Sequence, residues 1–460
     1  MGDIMNSCDT LAVCACRSKN KRNLFAKNSD RPTGEPQPLC YYPGGTFEDG
    51  ETLTLTHLTI PQVKKTYGVV GSRPYWIWGF EMGYNEKGLV IGNEAEGSRM
   101  DEDPEDGMLG MDMLRLALER AATAKEGISV IAQMLKTYGQ KAQASALVKR
   151  CYENTFILVD PSEVWVMETA GREWAAKKIE TMQGVSNCYS IRKDFDLCSE
   201  NLETIAREKR WLAPKEAFDF AKAYAGRLVA QPLGVQRFRR LNKLLQQKRK
   251  HDLSSLASIL RDHFDGEITS SRFADTCGTF MSICMHMRDW GESETSASLL
   301  AYYDQELGIV ARYAPVQPCL SAYIPVYMTG KLPEIMSNAE KEFNENSLWW
   351  QVKVLSLLVT VDEALFGDGI RQELSILERV FAEKAMVAEK NAKALMHDGK
   401  KEEAYKVLDA VTEECTQILF DFAKEHNQIL RDVINENGGL YGRQKEAIEK
   451  YVAYANIPLL

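Results

Sequence analysis

Two stretches near the start of the chain carry the residue types that covalent chemistry needs. Cys8-Asp9-Thr10-Leu11-Ala12-Val13-Cys14-Ala15-Cys16 and Asn23-Leu24-Phe25-Ala26-Lys27-Asn28-Ser29-Asp30-Arg31-Pro32 each read as a short strand, with the polar turn Arg17-Ser18-Lys19-Asn20-Lys21-Arg22 between them. Folded as a hairpin, positions 8 and 30 have their midpoint at 19, inside that turn, so Cys8 and Asp30 meet across the open end. If Met1 to Ser7 are removed, Cys8 gains a free α-amine beside its thiol. An α-amine titrates near ~8, so it can take the thiol proton as general base, and a carboxylate can hold the resulting ammonium. Removing the initiator Met alone leaves Cys8 internal. The Ser7–Cys8 bond must be cut, by Cys8 attacking the carbonyl before it. On the hairpin alone, a buried strand cysteine beside a surface aspartate is the better reading.

Further motifs change that balance. They are Ser72-Arg73-Pro74-Tyr75-Trp76-Ile77-Trp78-Gly79, Glu81-Met82-Gly83, Asn85-Glu86, and Gly88-Leu89-Val90-Ile91-Gly92-Asn93-Glu94-Ala95. Leu109-Gly110-Met111-Asp112 and Glu168-Thr169-Ala170-Gly171 follow. With Cys8-Asp9-Thr10 and Phe25 to Pro32, these ordered blocks resemble the dipeptidase A and secernin family of N-terminal-nucleophile hydrolases, as far as about Tyr327. Pattern alone gives an α+β fold; the resemblance implies a four-layer α-β-β-α sandwich. It also implies a cysteine hydrolase that cuts dipeptides; no His/Asp/Glu cluster has ligand spacing, so no metal or cofactor is expected. Cys8 attacks, its α-amine takes the proton, and Asp30 orients the amine. Asn93 and Asn187 resemble asparagines that contact the reacting carbonyl in related amidases acting on bile salts and penicillins, which makes them candidate oxyanion donors. Arg272, in Ser271-Arg272-Phe273, resembles a pocket arginine of the same amidases. Lys27, Arg31, Trp76 and Trp78 are candidate substrate contacts. Trp76 and Trp78 sit two apart and share a face if the segment is a strand, where core packing competes with substrate contact. Two other readings stand beside the dipeptidase: an amidase or acyltransferase acting on an N-acyl amino acid or β-lactam side chain, and a secernin-like binding or regulatory protein without turnover.

Composition bounds the rest. The chain has 460 residues, a net charge of -9 and no membrane-length apolar run. That argues against nucleic acid and membrane as partners, while a small peptide or amide substrate is what the resemblance implies. The 11 cysteines include no Cys-x-x-Cys pair, which suits free thiols in the cytoplasm. His286 has no ligand at metal-binding spacing and reads as structural or pocket-lining.

Three regions follow: residues 1–7 as a removable peptide, 8–331 as the catalytic domain, and 332–460 as a C-terminal helical extension. Helical periodicity marks Met108–Ala122 and Gly127–Tyr138, and Leu202–Phe264 reads as helical, with Arg237–Lys250 a solvated basic face. Thr279–His286, Ser296–Tyr303, Ile309–Ala314 and Ala322–Tyr327 read as a second set of strands. From Leu348 onward, charged amphipathic helices offer a surface for packing on the catalytic unit or for a homo-oligomer.

Overall fold

The computed structural model describes residues 8–100, 107–147, 149–225, 232–265, 282–287 and 289–460. In chain order its strands are β1 (Cys8–Val13), β2 (Leu24–Pro32), β3 (Leu39–Tyr42), β4 (Thr52–Thr54), β5 (Thr59–Pro61), β6 (Val69–Ser72), β7 (Met82–Asn85) and β8 (Val90–Glu96). After two helices, α1 (Gly110–Arg120) and α2 (Ala124–Tyr138), come β9 (Glu153–Val159), β10 (Val164–Ala170), β11 (Glu173–Lys178), β12 (Met182–Val185) and β13 (Leu197–Cys198). Helices α3 (Leu202–Glu208), α4 (Phe220–Tyr224), α5 (Pro232–Gln246) and α6 (Leu253–Leu260) precede β14 (Ser293–Asp304), β15 (Gly308–Pro315) and β16 (Ile324–Tyr327).

The strands form two large antiparallel sheets. One has the order β12-β1-β2-β14-β15-β16, the other β13-β11-β10-β9-β8-β7-β6-β3. Alternation along each strand sends one set of side chains between the sheets and the other outward. Ala12 and Phe25 from the first sheet share a core with Val70, Met82, Tyr84, Val90 and Ile157 from the second. Leu11, Val13, Leu24 and Ala26 turn the other way, onto Leu241 and Leu245 of α5 and Leu256 and Leu260 of α6. On the far side Leu89, Ile91, Phe156 and Leu158 pack on Leu114, Leu118 and Ile128 of α1 and α2. Helices, sheet, sheet, helices: this is the α-β-β-α sandwich, in an α+β chain.

The C-terminal helices α7 (Glu334–Ser337), α8 (Leu348–Val361), α9 (Glu363–His397), α10 (Lys401–Glu436) and α11 (Lys445–Ala455) lie against the sandwich. Helix α8 is apolar almost all round and is buried accordingly. It is tied to β14 by Lys353 Nζ on Glu294 Oε2 at 2.6 Å and by the Trp349 indole N–H on the Ser296 carbonyl at 2.9 Å.

Three local expectations are corrected. Leu202–Phe264 is broken into separate helices rather than running as one. Residues 282–286 form no strand; their backbone is spent on irregular contacts, Cys284 N–H on the Asp262 carbonyl and Met285 N–H on the Thr295 hydroxyl. Trp76 and Trp78 sit in a turned segment after β6, because Arg73-Pro74 ends the strand.

Candidate active site

The β1–β2 hairpin pairs Cys8 with Ser29, Thr10 with Lys27 and Ala12 with Phe25. The register is therefore one residue from the symmetric one, and Asp30 lies one place beyond the residue opposite Cys8. The turn sets this: Ala15–Arg17 closes as a short 3-10 segment, fixed by Asn23 Oδ1 accepting from Ala15 N–H at 2.9 Å. Alternation then sends the Cys8 side chain between the sheets. The part of Asp30 that meets the thiol is its backbone: Asp30 N–H donates to Cys8 Sγ at 3.3 Å. The Asp30 carboxylate accepts from the Thr295 hydroxyl at 2.6 Å.

Cys8 is 4% exposed. Burial pushes its thiol up to about 12; the Lys27 ammonium acts against this, and the Glu81, Asp30 and Glu94 carboxylates reinforce it. At pH 8 such a thiol is roughly one part in 10⁴ thiolate, so it needs a base of its own. While Met1–Ser7 are attached, alkylation of Cys8 by iodoacetamide is expected to rise about tenfold per pH unit with no plateau up to pH 10. Peptide mass mapping on uncut chains checks this, and a plateau near pH 8 would contradict it.

The Cys8 nitrogen donates to Asn187 Oδ1 at 3.0 Å. Asn187 sits just beyond β12, its Nδ2 given to the Ala95 carbonyl at 2.7 Å. Its amide oxygen thus holds the Cys8 nitrogen. Arg237 of α5 completes the clamp, with Nη2 on Asn187 Oδ1 at 2.7 Å, Nη1 on Asp9 Oδ2 at 2.8 Å and Nη1 on the Cys8 carbonyl at 3.3 Å. The Arg237–Lys250 reading is corrected here. Lys243, Lys248 and Lys250 face solvent, but Arg237 is 1% exposed and Arg240 is paired with Asp262 at 2.5 Å. Arg237 shares the i, i+4 stripe of Leu241 and Leu245, a periodicity that points inward and could have revealed it.

Between the sheets, Lys27 Nζ donates to Glu94 Oε1 at 3.2 Å and to the Asn93 carbonyl at 2.6 Å, and Thr10 Oγ1 donates to Glu94 Oε1. Burial works against the Lys27 charge, but Cys8, Glu94 and Glu81 outweigh it and hold the ammonium above its ordinary value. Lys27 is thus a fixed positive charge under the thiol, with both partners inside the protein. Glu94, missed in the sequence, is its counterion.

Asn93 is placed differently from the expectation. Gly92 and Glu94 face Lys27, so the Asn93 side chain takes the other face of β8. There it meets Asn154 at 3.0 Å, and its amide nitrogen reaches Glu81 Oε2 at 3.2 Å. It holds Glu81, which in turn holds Arg31.

Arg31 is likewise consumed. Its guanidinium takes Glu35 Oε2 at 2.6 Å, Glu81 Oε1 at 2.7 Å and the Ala144 carbonyl at 2.7 Å, and it is 2% exposed. Such a network spends four of the five guanidinium N–H donors inside the protein and braces the segment after β2. Trp76 gives its indole N–H to Glu35 at 3.1 Å, while Trp78 lies under Arg115 at 4.0 Å, in the helix layer. The two tryptophans do not share a face. Arg272 lies outside the described residues.

The expectation for His286 is also corrected. Its side chain lies with Cys284, two residues before it, and with His263 and Cys319, which the fold brings in from farther away in the chain, all buried. The Cys284-Met285-His286 spacing is the one sequence sign of that cluster.

Asp30→Asn keeps the acceptor for Thr295 and removes the charge beside Cys8. It is expected to lower turnover roughly 10²-fold, the scale of a lost acid–base or positioning contribution, with stability nearly unchanged. Kinetics on chains confirmed by mass to begin at Cys8 checks this.

Residues 63–231 match the family model of peptidase family C69. Asn93 and Asn187 lie within that stretch, and Cys8 and Asp30 precede it. Among solved structures, two variants of a conjugated bile acid hydrolase from Clostridium perfringens align with a TM-score of 0.39 and 13% identity, over 70% of this chain and 93% of theirs. An N-acylethanolamine-hydrolyzing acid amidase ortholog from Caenorhabditis elegans aligns with a TM-score of 0.31 and 9% identity, over 64% of this chain and 91% of that one. Over residues 63–231 the chain is similar to peptidase family C69, the dipeptidase A and secernin family, and that likeness supports a cysteine hydrolase acting on C–N bonds.

Proposed function

We propose that this protein is a cytoplasmic dipeptidase that generates its own N-terminal nucleophile by cutting Ser7–Cys8. One observation carries the reading: the Cys8 nitrogen rests at 3.0 Å on Asn187 Oδ1, in a clamp completed by Arg237. An ordinary strand nitrogen needs no such side-chain seat.

In the first step the Cys8 thiol adds to the Ser7 carbonyl carbon. The C–N bond to Cys8 breaks, the nitrogen takes the thiol proton, and a thioester remains. Water then cleaves the thioester, which releases residues 1–7 as a carboxylate and frees both the thiol and the α-amine. In each later cycle the α-amine accepts the thiol proton and the sulfur attacks the substrate carbonyl. The leaving amine takes the proton from the ammonium. Water, deprotonated by the same amine, returns the thiol and releases the acid. Asn187 holds the amine, Asp30 stabilises its protonated form, and Lys27 favours the thiolate.

Hydrolysis of N-acyl amino acids or β-lactams in preference to every dipeptide tested would overturn the substrate assignment.

A further inference from the structure

We propose that His263, Cys284, His286 and Cys319 bind one zinc ion in a tetrahedral site. The four come from three separate places: the end of α6, the irregular segment before β14, and the 3-10 turn Pro318–Leu320. Their exposures are 4%, 0%, 8% and 6%, and one ligating atom from each lies within 4.8 Å of all the others.

The edges fit a metal-centred tetrahedron. Bonds of about 2.0–2.1 Å to nitrogen and 2.3 Å to sulfur give N···N edges of roughly 3.3 Å and N···S edges of roughly 3.6 Å. The two imidazole Nε2 atoms are 3.2 Å apart, and His286 Nε2 is 3.1 Å from Cys319 Sγ and 3.7 Å from Cys284 Sγ. A hydrogen-bonded cluster does not account for this arrangement. One ring nitrogen has either one N–H or one lone pair, yet His286 Nε2 faces three heteroatoms at once. An ion at the centre satisfies all four donors together.

Thiolate with imidazole selects zinc over hard ions such as magnesium or calcium. Four protein donors, all buried, close the coordination sphere, so the site is structural and leaves no open position for substrate. Binding exchanges two thiol protons for one divalent ion, with no redox change. The site reaches the nucleophile indirectly. Met285, between two of the ligands, exchanges backbone and hydroxyl hydrogen bonds with Thr295 at 3.0 Å, and the Thr295 hydroxyl donates to Asp30. Zinc would thus fix the segment that orients Asp30.

The test is elemental analysis of the full chain, purified without a histidine tag and dialysed against EDTA. About one zinc per chain is expected, released when a mercurial titrates the thiols. Cys284→Ser and Cys319→Ser should lose it, while Cys415→Ser should retain it. If those variants fail to fold, wild-type protein grown with cobalt decides. Tetrahedral d–d bands with thiolate-to-cobalt charge transfer support the site. Less than about a tenth of an equivalent of metal in wild-type protein, with Cys284 and Cys319 recovered as free thiols or as a disulfide, overturns it.

Discussion

A Cys8→Ala chain is expected to keep Met1–Ser7 attached and to lose at least about 10⁴-fold in hydrolysis, which is the scale on which removing a covalent nucleophile acts. The same sulfur is asked to perform two acyl transfers, one on its own chain and one on substrate, and Cys14, the next thiol along the chain, is not placed to replace it. Cys14 lies just past β1, at the far end of the strand from Cys8, and donates to the Ile179 carbonyl at 3.1 Å. Cys8→Ser should retain slow processing, since a hydroxyl attacks the same carbonyl less readily. Stability should barely change in either variant, because the thiol contributes little buried area. Mass spectrometry reads the processing and a dipeptide assay reads the turnover. Wild-type rates in Cys8→Ala protein would remove Cys8 from the reaction.

Arg237→Met carries the next largest effect, and it acts on fold and site together. Arg237 and Asp9 form an ion pair at 2.8 Å with both side chains buried. Removing one member leaves the other charge uncompensated, which costs about 3–5 kcal/mol. The pH dependence follows from Asp9. Burial raises its carboxyl above the ordinary value, and Arg237 opposes that rise. Without Arg237 the folded-state value goes higher still, so the folded variant binds a proton that the unfolded chain has released. Stability of the variant therefore falls further below wild type as pH rises from the ordinary carboxylate range, and the gap narrows in acid. Asp9→Asn combined with Arg237→Met should recover much of the loss, since no charge is then stranded. Turnover should not recover, because Asn187 Oδ1 has still lost its guanidinium partner and the Cys8 nitrogen its fixed seat. Chemical denaturation across pH, with kinetics on the double variant, separates the two effects.

Local pattern revealed the hairpin, the strands from β8 to β11 and the helices α1 and α2, since their apolar residues repeat at periods of two or near four. It placed Cys8 and Asp30 side by side but missed the register by one residue, because that offset is decided by the Ala15–Arg17 turn and Asn23 rather than by strand pattern. The roles of Arg31 and Asn93 were misread for a related reason. Each is polar at a plausible position, and only the folded chain shows that Arg31 is held by Glu35 and Glu81 and that Asn93 is held by Asn154 on the neighbouring strand. Lys27 with Glu94, Asp9 with Arg237 and His263 with His286 pair residues whose separation in the chain carries no signal. The shared face of Trp76 and Trp78 held only if their segment was a strand, and Pro74 begins a turned segment instead.

Cys8 is expected to work as an N-terminal residue. Intact-mass measurement on active enzyme, followed by trapping with a labelled dipeptide substrate, tests it most directly. The expected result is a chain lacking Met1–Ser7, beginning at Cys8, with the acyl label on that residue's sulfur. A fully active chain that still carries Met1–Ser7, with Cys8 unlabelled, would contradict it.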